Sequence, residues 1–414
     1  MVHQLPTGAK DLLPLDVARK QWLEKHLQQC FHNWGYQRII TPTLEHLDSL
    51  TAGGAVQPET VLQLRTDGLA SLGLRPELTA SIARAYATRL QSDDGSCPQR
   101  LYYHANVFRR KGSHSAKIAS EESFQAGVEL LGAAGLLADG EILLLLRQCL
   151  AAVHLPSWRL VLGDARITNA FLATVPPSHR QRVHQCLADL DRVQIEQMDL
   201  PEPHKTNALA LFDLRGNPET VLAKLQAQPW AQDIADEVDL LRARVDLWHK
   251  TLEPDALDPD AIGKSMDQRL CLDLSMIRTF DYYTGMVFEV ISGNYVIAQG
   301  GRYDNLIGIY HPQGKTYPSV GFCLNLEDLQ QVLLKYLPKT PQPVHTLVVP
   351  TSTDAVAAAF NYAQALRQQN PEAMIVVGLE AVSPEVAQSQ AQQRGIDQVA
   401  LVQGAESVQL LSVS

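Results

Sequence analysis

Residues 278–289 read Arg-Thr-Phe-Asp-Tyr-Tyr-Thr-Gly-Met-Val-Phe-Glu, and no other stretch says as much about the chain. Arg278, Asp281, Tyr282 and Tyr283 stand just before Met286 to Ile291, an apolar run that reads as a strand. Arg supplies a forked cationic donor, and Tyr a hydroxyl on a rigid ring. Together they suit the wall of a small polar pocket.

Outward from this segment, strands are expected at 269–275, 286–292 and 295–299, with Gly300-Gly301-Arg302-Tyr303 as a turn and a helix over about 325–336. Near the N-terminus Trp22, Leu23, Leu27, Cys30, Phe31 and Trp34 recur at three- and four-residue steps, which predicts a helix over 17–34 ended by Gly35. Tyr36 to Thr41 reads as a strand stopped by Pro42. A helix is predicted over 74–90, with Pro76 at an allowed early position. Strands at about 100–109 and 122–131 flank the polar stretch 110–121, and a helix follows over 139–152. From about 164 to 263 the composition predicts a mostly helical insertion, entered by a strand at 158–163. Pro338, Pro341 and Pro343 mark a linker over 336–343. Beyond it, strands at 346–349, 374–377 and 398–402 alternate with helices at 354–369 and 384–394, a small β-α-β-α-β unit within 344–414.

Composition narrows the class. At 414 residues the chain exceeds one ordinary domain, so two or three are expected. A net charge of −10 argues against a chain whose main business is gripping a polyanion, although a local basic patch stays open. Cysteines 30, 97, 149, 186, 271 and 323 are far apart and form no Cys-x-x-Cys pair, so reduced thiols are expected. Asp11 and Asp16 interrupt the N-terminus, so no signal peptide is expected, and the longest apolar run, 355–360, is far short of a membrane span. A cytoplasmic protein is expected. The histidines are scattered: His104 and His114 are ten apart, without a metal-ligand spacing. Neither Gly53-Gly54 nor Gly300-Gly301 forms a phosphate-binding loop.

Further pieces occur in a telling order: Pro6, Gly8, Asp11 and Pro14; Gly35-Tyr36 with Thr41-Pro42; Arg75-Pro76-Glu77-Leu78-Thr79; Phe108-Arg109; Gln125 to Glu129; then 278–289 and Gly300 to Asp304. With this order and spacing, residues 4–335 resemble a class II aminoacyl-tRNA synthetase of the histidyl type. The resemblance implies an α+β fold, an antiparallel sheet flanked by helices, with the helical insertion and a small α/β C-terminal domain like a shortened anticodon-binding domain. It implies a histidine pocket made of Glu77, Thr79, Arg109, Gln125, Glu129, Arg278, Tyr282 and Tyr283. Chemically, Glu77 and Glu129 suit an ammonium or an imidazole N–H, and Arg109 or Arg278 suits a carboxylate. Gln125 and the two Tyr suit the orientation of a ring. Singly, each has a plainer use: a solvated Glu, a packing Tyr, a surface Arg. Their common order favours the pocket.

The chain also departs from that pattern. Gly321 to Leu329 reads Gly-Phe-Cys-Leu-Asn-Leu-Glu-Asp-Leu, placing Asp328 where the family has the Arg that meets the nucleotide. Phe108-Arg109-Arg110-Lys111 puts Lys111 where the family has a Glu that reads adenine, and Glu121 and Glu122 close a loop that should be basic despite Lys117. A reversed charge against a polyphosphate removes transition-state stabilisation, so activation chemistry is expected to be lost, with no catalytic residues. After Lys339 the only Lys or Arg are Arg367 and Arg394; Phe360 and Tyr362 are expected in a helical core, so no RNA-reading face is expected.

A synthetase body with a pocket and no chemistry resembles the paralogous family of ATP phosphoribosyltransferase regulatory subunits, which serve the first step of histidine biosynthesis. That resemblance implies a non-catalytic subunit mediating feedback inhibition by free histidine. It further implies a hetero-octamer of four such chains with four short-form catalytic subunits, paired through a synthetase-type dimer interface. No cofactor, metal, nucleic acid or membrane is expected as partner. Two other readings stay open: an active histidyl-tRNA synthetase with a divergent nucleotide site, and a stand-alone histidine sensor or RNA-binding module.

Overall fold

The computed structural model describes residues 5, 8–54, 56–64, 71–90, 98–110, 122–251, 269–276, 282–339, 345–405 and 407–413. They fall into two compact units, one within 1–11 and 20–337, the other within 12–19 and 338–414. In the first, a nine-stranded sheet runs in spatial order Gln37–Arg38, Gln99–Phe108, Glu122–Leu131, Ser319–Asn325, Tyr295–Arg302, Met286–Ser292, Arg159–Asp164, Leu270–Asp273, Arg215–Gly216. Neighbours are antiparallel except Gln37–Arg38 beside Gln99–Phe108 and Arg159–Asp164 beside Leu270–Asp273. The α+β architecture expected from the sequence is therefore present.

Strand alternation divides this sheet into a dry face and a working face. Tyr102, Val128, Leu130, Phe322 and Leu324 point into one core with Leu27 and Phe31 of the helix Pro14–Asn33 and Ile142 and Leu145 of Gly135–Ala152. The intervening residues Tyr103, Gln125, Glu129 and Cys323 face the other way, bordered by a second cluster that includes Leu78, Ile82, Tyr86 and Tyr303.

Three expectations are corrected in this unit. No single helix covers 74–90: Leu72–Leu74 is a strand, the helix is Thr79–Ala85, and Tyr86–Leu90 forms a π-helical turn. The buried Glu77 carboxylate explains the late start, since its oxygens accept the backbone N–H of Thr79 at 2.6 Å and of Ala80 at 2.8 Å. The Gly300-Gly301-Arg302 turn is instead the end of the strand Tyr295–Arg302. A Cβ on Gly301 would stand 2.7 Å from the Tyr283 ring, and one on Gly300 2.6 Å from Phe288, so these glycines serve close packing. The expected strand at 36–41 shrinks to Gln37–Arg38.

The insertion is mostly helical where described, with Ala165–Thr174, Pro177–Ala188, Arg192–Gln197, His204–Phe212, Pro218–Gln226 and Ala235–Lys250, and it contributes the short edge strand Arg215–Gly216. Asp164, Asp191 and Asn217 cap three of these helices with side-chain oxygens. Residues 252–268 lie outside the described residues.

The second unit has a four-stranded sheet, Ile375–Val377, Thr346–Pro350, Gln398–Gly404, Ser407–Ser412, with helices Val356–Gln369 and Pro384–Gln393. The first three strands are parallel, while Ser407–Ser412 adds an unexpected antiparallel edge. Phe360 is corrected from core to surface; Tyr362 packs half-buried beside Val348 and Ala359. Pro341 and Pro343 of the expected linker lie outside the described residues.

Candidate functional site

Three adjacent strands make the floor of the site. Glu129 lies opposite Gly321, and Gly321 opposite Gly301; Gly127 lies opposite Cys323, and Cys323 opposite Gln299. Glycine at 321 is required here, because a Cβ would overlap the Glu129 carboxylate and lie 2.5 Å from the Val128 carbonyl. At Gly127 a Cβ would meet the Tyr103 hydroxyl at 2.5 Å. The missing side chains make room for the functional ones.

Above this floor is a small cavity that opens to solvent. It is lined by Glu77, Thr79, Arg109, Gln125, Glu129, Tyr282 and Tyr283, with Tyr103, Gln299, Tyr303 and Cys323 among their neighbours. Seven of the eight residues singled out from the sequence thus share one wall, and Arg278 lies outside the described residues. Tyr103, Gln299, Tyr303 and Cys323 were not anticipated. Alternation along their own strands, which pair in one sheet with the strand carrying Gln125 and Glu129, is the signal for the first, second and fourth; Gly-Gly before Tyr303 resembles a turn and hides that strand end.

Glu129, only 2% exposed, is the centre of the polar lining. The Thr79 hydroxyl donates to its Oε1 at 2.8 Å, and the Tyr303 hydroxyl donates to Oε2. Burial raises its pKa to about 8. The two hydroxyl donors oppose that rise and the neighbouring Glu77 adds to it. Burial also raises Glu77, against the helix N–H groups it accepts and the nearby Arg109. Tyr103, Tyr282 and Tyr303 are pushed well up by burial, which keeps their hydroxyls neutral donors. The Cys323 thiol rises to about 11, again by burial, which keeps it from acting as a thiolate. The Tyr282 ring centroid is 4.9 Å from that of Tyr283 and 5.9 Å from that of Tyr303, making an aromatic corner.

Arg109 donates from Nε to the Pro76 carbonyl at 2.7 Å, which fixes the base of its guanidinium at the cavity edge. Arg75, two residues before Glu77, turns away: it donates to the carbonyls of Thr41, Pro42 and Asn106 at 2.7, 3.1 and 3.0 Å and braces the 41–42 segment. Two buried carboxylates, a cation and neutral ring hydroxyls can hold a small zwitterion with an N–H-bearing ring.

Where the helix Leu326–Leu333 begins, Glu327 accepts the Phe124 N–H with both oxygens, at 3.0 and 3.1 Å, and Asn325 caps the N–H groups of Glu327 and Asp328. Glu122 accepts from Asn106 Nδ2 at 2.5 Å. Glu122 and Glu327 at this end of the sheet are thus tied to donors of the neighbouring strands. Lys111, Lys117 and Glu121 lie outside the described residues. Among the described residues, no group of three or more His, Cys, Asp or Glu could hold a metal ion, and no helix is long and apolar enough to cross a membrane. His104 is buried and held neutral, its pKa lowered to about 4 by burial.

Comparison with known proteins follows the same lines. A family model described as histidyl-tRNA synthetase matches residues 8–329. An ATP phosphoribosyltransferase regulatory subunit of Synechococcus elongatus is 46% identical, over 100% of this chain and 98% of its own. A protein of the same name from Synechocystis is 46% identical, over 97% of this chain and 98% of its own. A Bacillus halodurans structure, described as an ATP phosphoribosyltransferase regulatory subunit/histidyl-tRNA synthetase, superposes with a TM-score of 0.77 at 24% identity, covering 98% of this chain and 99% of its own. The histidyl-tRNA synthetase of a Nostoc species gives 0.75 at 20% identity, covering 99% and 97%. At such identities the two structures speak for the fold alone.

Proposed function

Because the chain belongs to the histidyl-tRNA synthetase family and, within it, to the ATP phosphoribosyltransferase regulatory subunits, we propose that it activates a short-form catalytic subunit and reports free histidine to it. It works in the cytoplasm as one of four such chains in a hetero-octamer with four catalytic chains, paired through a synthetase-type dimer interface. The observation that carries the histidine role is the buried Glu129 carboxylate, gripped by Thr79 and Tyr303 at the foot of an aromatic corner. Glu129 takes an N–H of the ligand, Arg109 with Arg278 takes its carboxylate, and Gln125, Tyr282 and Tyr283 set the ring. Glu77 adds negative charge for the ammonium, while its oxygens also hold the helix start.

Feedback then follows from linkage: histidine favours whichever state of the complex binds it more tightly, and that state is the less active one. Adenylate formation is absent, in keeping with Asp328 and the carboxylates near it. The test is reconstitution. The catalytic subunit should gain phosphoribosyl transfer on adding this chain, and histidine should suppress the gain. A catalytic subunit indifferent to the addition would end the proposal, and histidine-dependent ATP–pyrophosphate exchange by this chain alone would favour an active synthetase.

A further inference from the structure

Beside the pocket runs a line of alternating charges. Arg302 donates from Nε and Nη2 to Asp139 Oδ1 at 3.0 and 2.6 Å, and from Nη1 to Asp304 Oδ1 at 2.9 Å. The other oxygen of Asp139 accepts Arg244 Nε at 2.7 Å, and Arg244 Nη1 continues to Asp164 Oδ2 at 2.6 Å. Asp164 is held in turn by Arg166, through Nε at 3.0 Å and Nη2 at 2.6 Å. The middle is dry: Arg244 is 1% exposed and Asp139 fully buried.

Such a run is weak evidence of stability, since buried ion pairs often do no better than apolar residues of equal size. What it supplies is geometry. A guanidinium bridging two carboxylates tolerates little displacement of either. Its members come from the helix Gly135–Ala152, the ends of the strands Arg159–Asp164 and Tyr295–Arg302, Asp304 just beyond the latter, the first turn of the helix Ala165–Thr174, and the last described helix of the insertion, Ala235–Lys250. Its pocket end is short. Tyr303, next to Arg302, donates to Glu129. Thr284, next to Tyr283, donates its N–H to the Arg302 carbonyl at 2.7 Å, and Ala165 donates its N–H to the Gly285 carbonyl at 2.8 Å.

We propose that Arg244 is a positioning residue for the amino-acid pocket, through which docking of the helix Ala235–Lys250 and occupancy of the pocket are thermodynamically linked. This rests on the reading that the pocket takes free histidine. A ligand that engages Glu129 and the Tyr282–Tyr283 corner selects one placement of Tyr303 and Arg302. The shared Asp139 passes that placement to Arg244. By reciprocity, whatever grips the insertion changes histidine affinity by the same factor.

The test is hydrogen–deuterium exchange on the intact wild-type chain with and without saturating L-histidine, together with calorimetry on wild type and Arg244→Lys. Histidine should slow exchange in Ala235–Lys250 as well as in the floor strand Glu122–Leu131. Arg244→Lys keeps the charge but loses the fork, and should weaken histidine at least about fivefold while the thermal transition stays cooperative. Protection confined to the floor strand, or an Arg244→Lys variant that binds as wild type, would overturn the proposal. Should Arg244→Lys fail to fold, the wild-type exchange decides alone. A wild-type chain showing neither heat nor protection would instead overturn the histidine reading beneath it.

Discussion

At Glu129, burial and hydrogen bonding pull in opposite directions, and the balance leaves its pKa at about 8. A carboxyl whose folded pKa is raised binds its proton more tightly folded than unfolded. The empty protein therefore loses stability as pH rises from the ordinary carboxylate range to about 8. Ligand binding has the reverse sign. An N–H or ammonium at Glu129 favours the ionised form, so binding expels a proton, and affinity for histidine should rise several-fold from pH 7 to pH 8. Glu77, Tyr103, Tyr282 and Tyr303 all neighbour this group, and burial keeps the three hydroxyls from titrating in that window. Calorimetry in buffers of different ionisation enthalpy should detect the released proton. Glu129→Gln should abolish the release and flatten the pH slope, and an unchanged slope would assign it elsewhere.

Among the elements, the floor strands depend on glycine. Gly321→Ala should cost about 1–3 kcal/mol in a urea titration through overpacking. It should also remove measurable histidine binding, because the new methyl takes the place of the Glu129 carboxylate. Retained affinity would mean that the carboxylate has room to move. These strands also mark what the sequence could disclose. Gln125 and Glu129 were legible because Gln125 to Glu129 resembles the family's pocket-lining strand, and the alternation of that strand puts both on one face. The glycines were not, because Gly-Gly favours a turn whenever its packing neighbours are unknown, here Phe288 on the adjacent strand and the Tyr283 ring. The start of the helix at Thr79 escaped for a related reason. Pro76 suits a first helical turn, whereas the side chain that sets the start is Glu77, folded back onto two N–H groups. The strand Ser407–Ser412 is exposed along most of its length, so it carries no buried alternation to betray it.

For the whole molecule, the segment after Gly35 bears on self-association. Ile40 is 80% exposed and Leu44 42%, and Arg75 braces the backbone between them. A two-fold interface counts each residue twice, so hiding Ile40 in both copies contributes about 3–6 kcal/mol. Ile40→Asp should weaken dimerisation by about a hundredfold or more, read as halved mass in light scattering at micromolar concentration. An unchanged mass would mean that Ile40 is not part of a self-association surface.

The order of strands in the large sheet has a consequence for how the chain is made. Ser319–Asn325 lies between Glu122–Leu131 and Tyr295–Arg302, with Ser319 registered against Leu131. During translation the hairpin of Gln99–Phe108 and Glu122–Leu131 emerges nearly two hundred residues before the partner that covers its open edge. Until then the ribosome-bound nascent chain displays unpaired amide and carbonyl groups, a state prone to misassembly and a natural client for chaperones. A message truncated before codon 319 would yield a polypeptide lacking the middle of its β-scaffold.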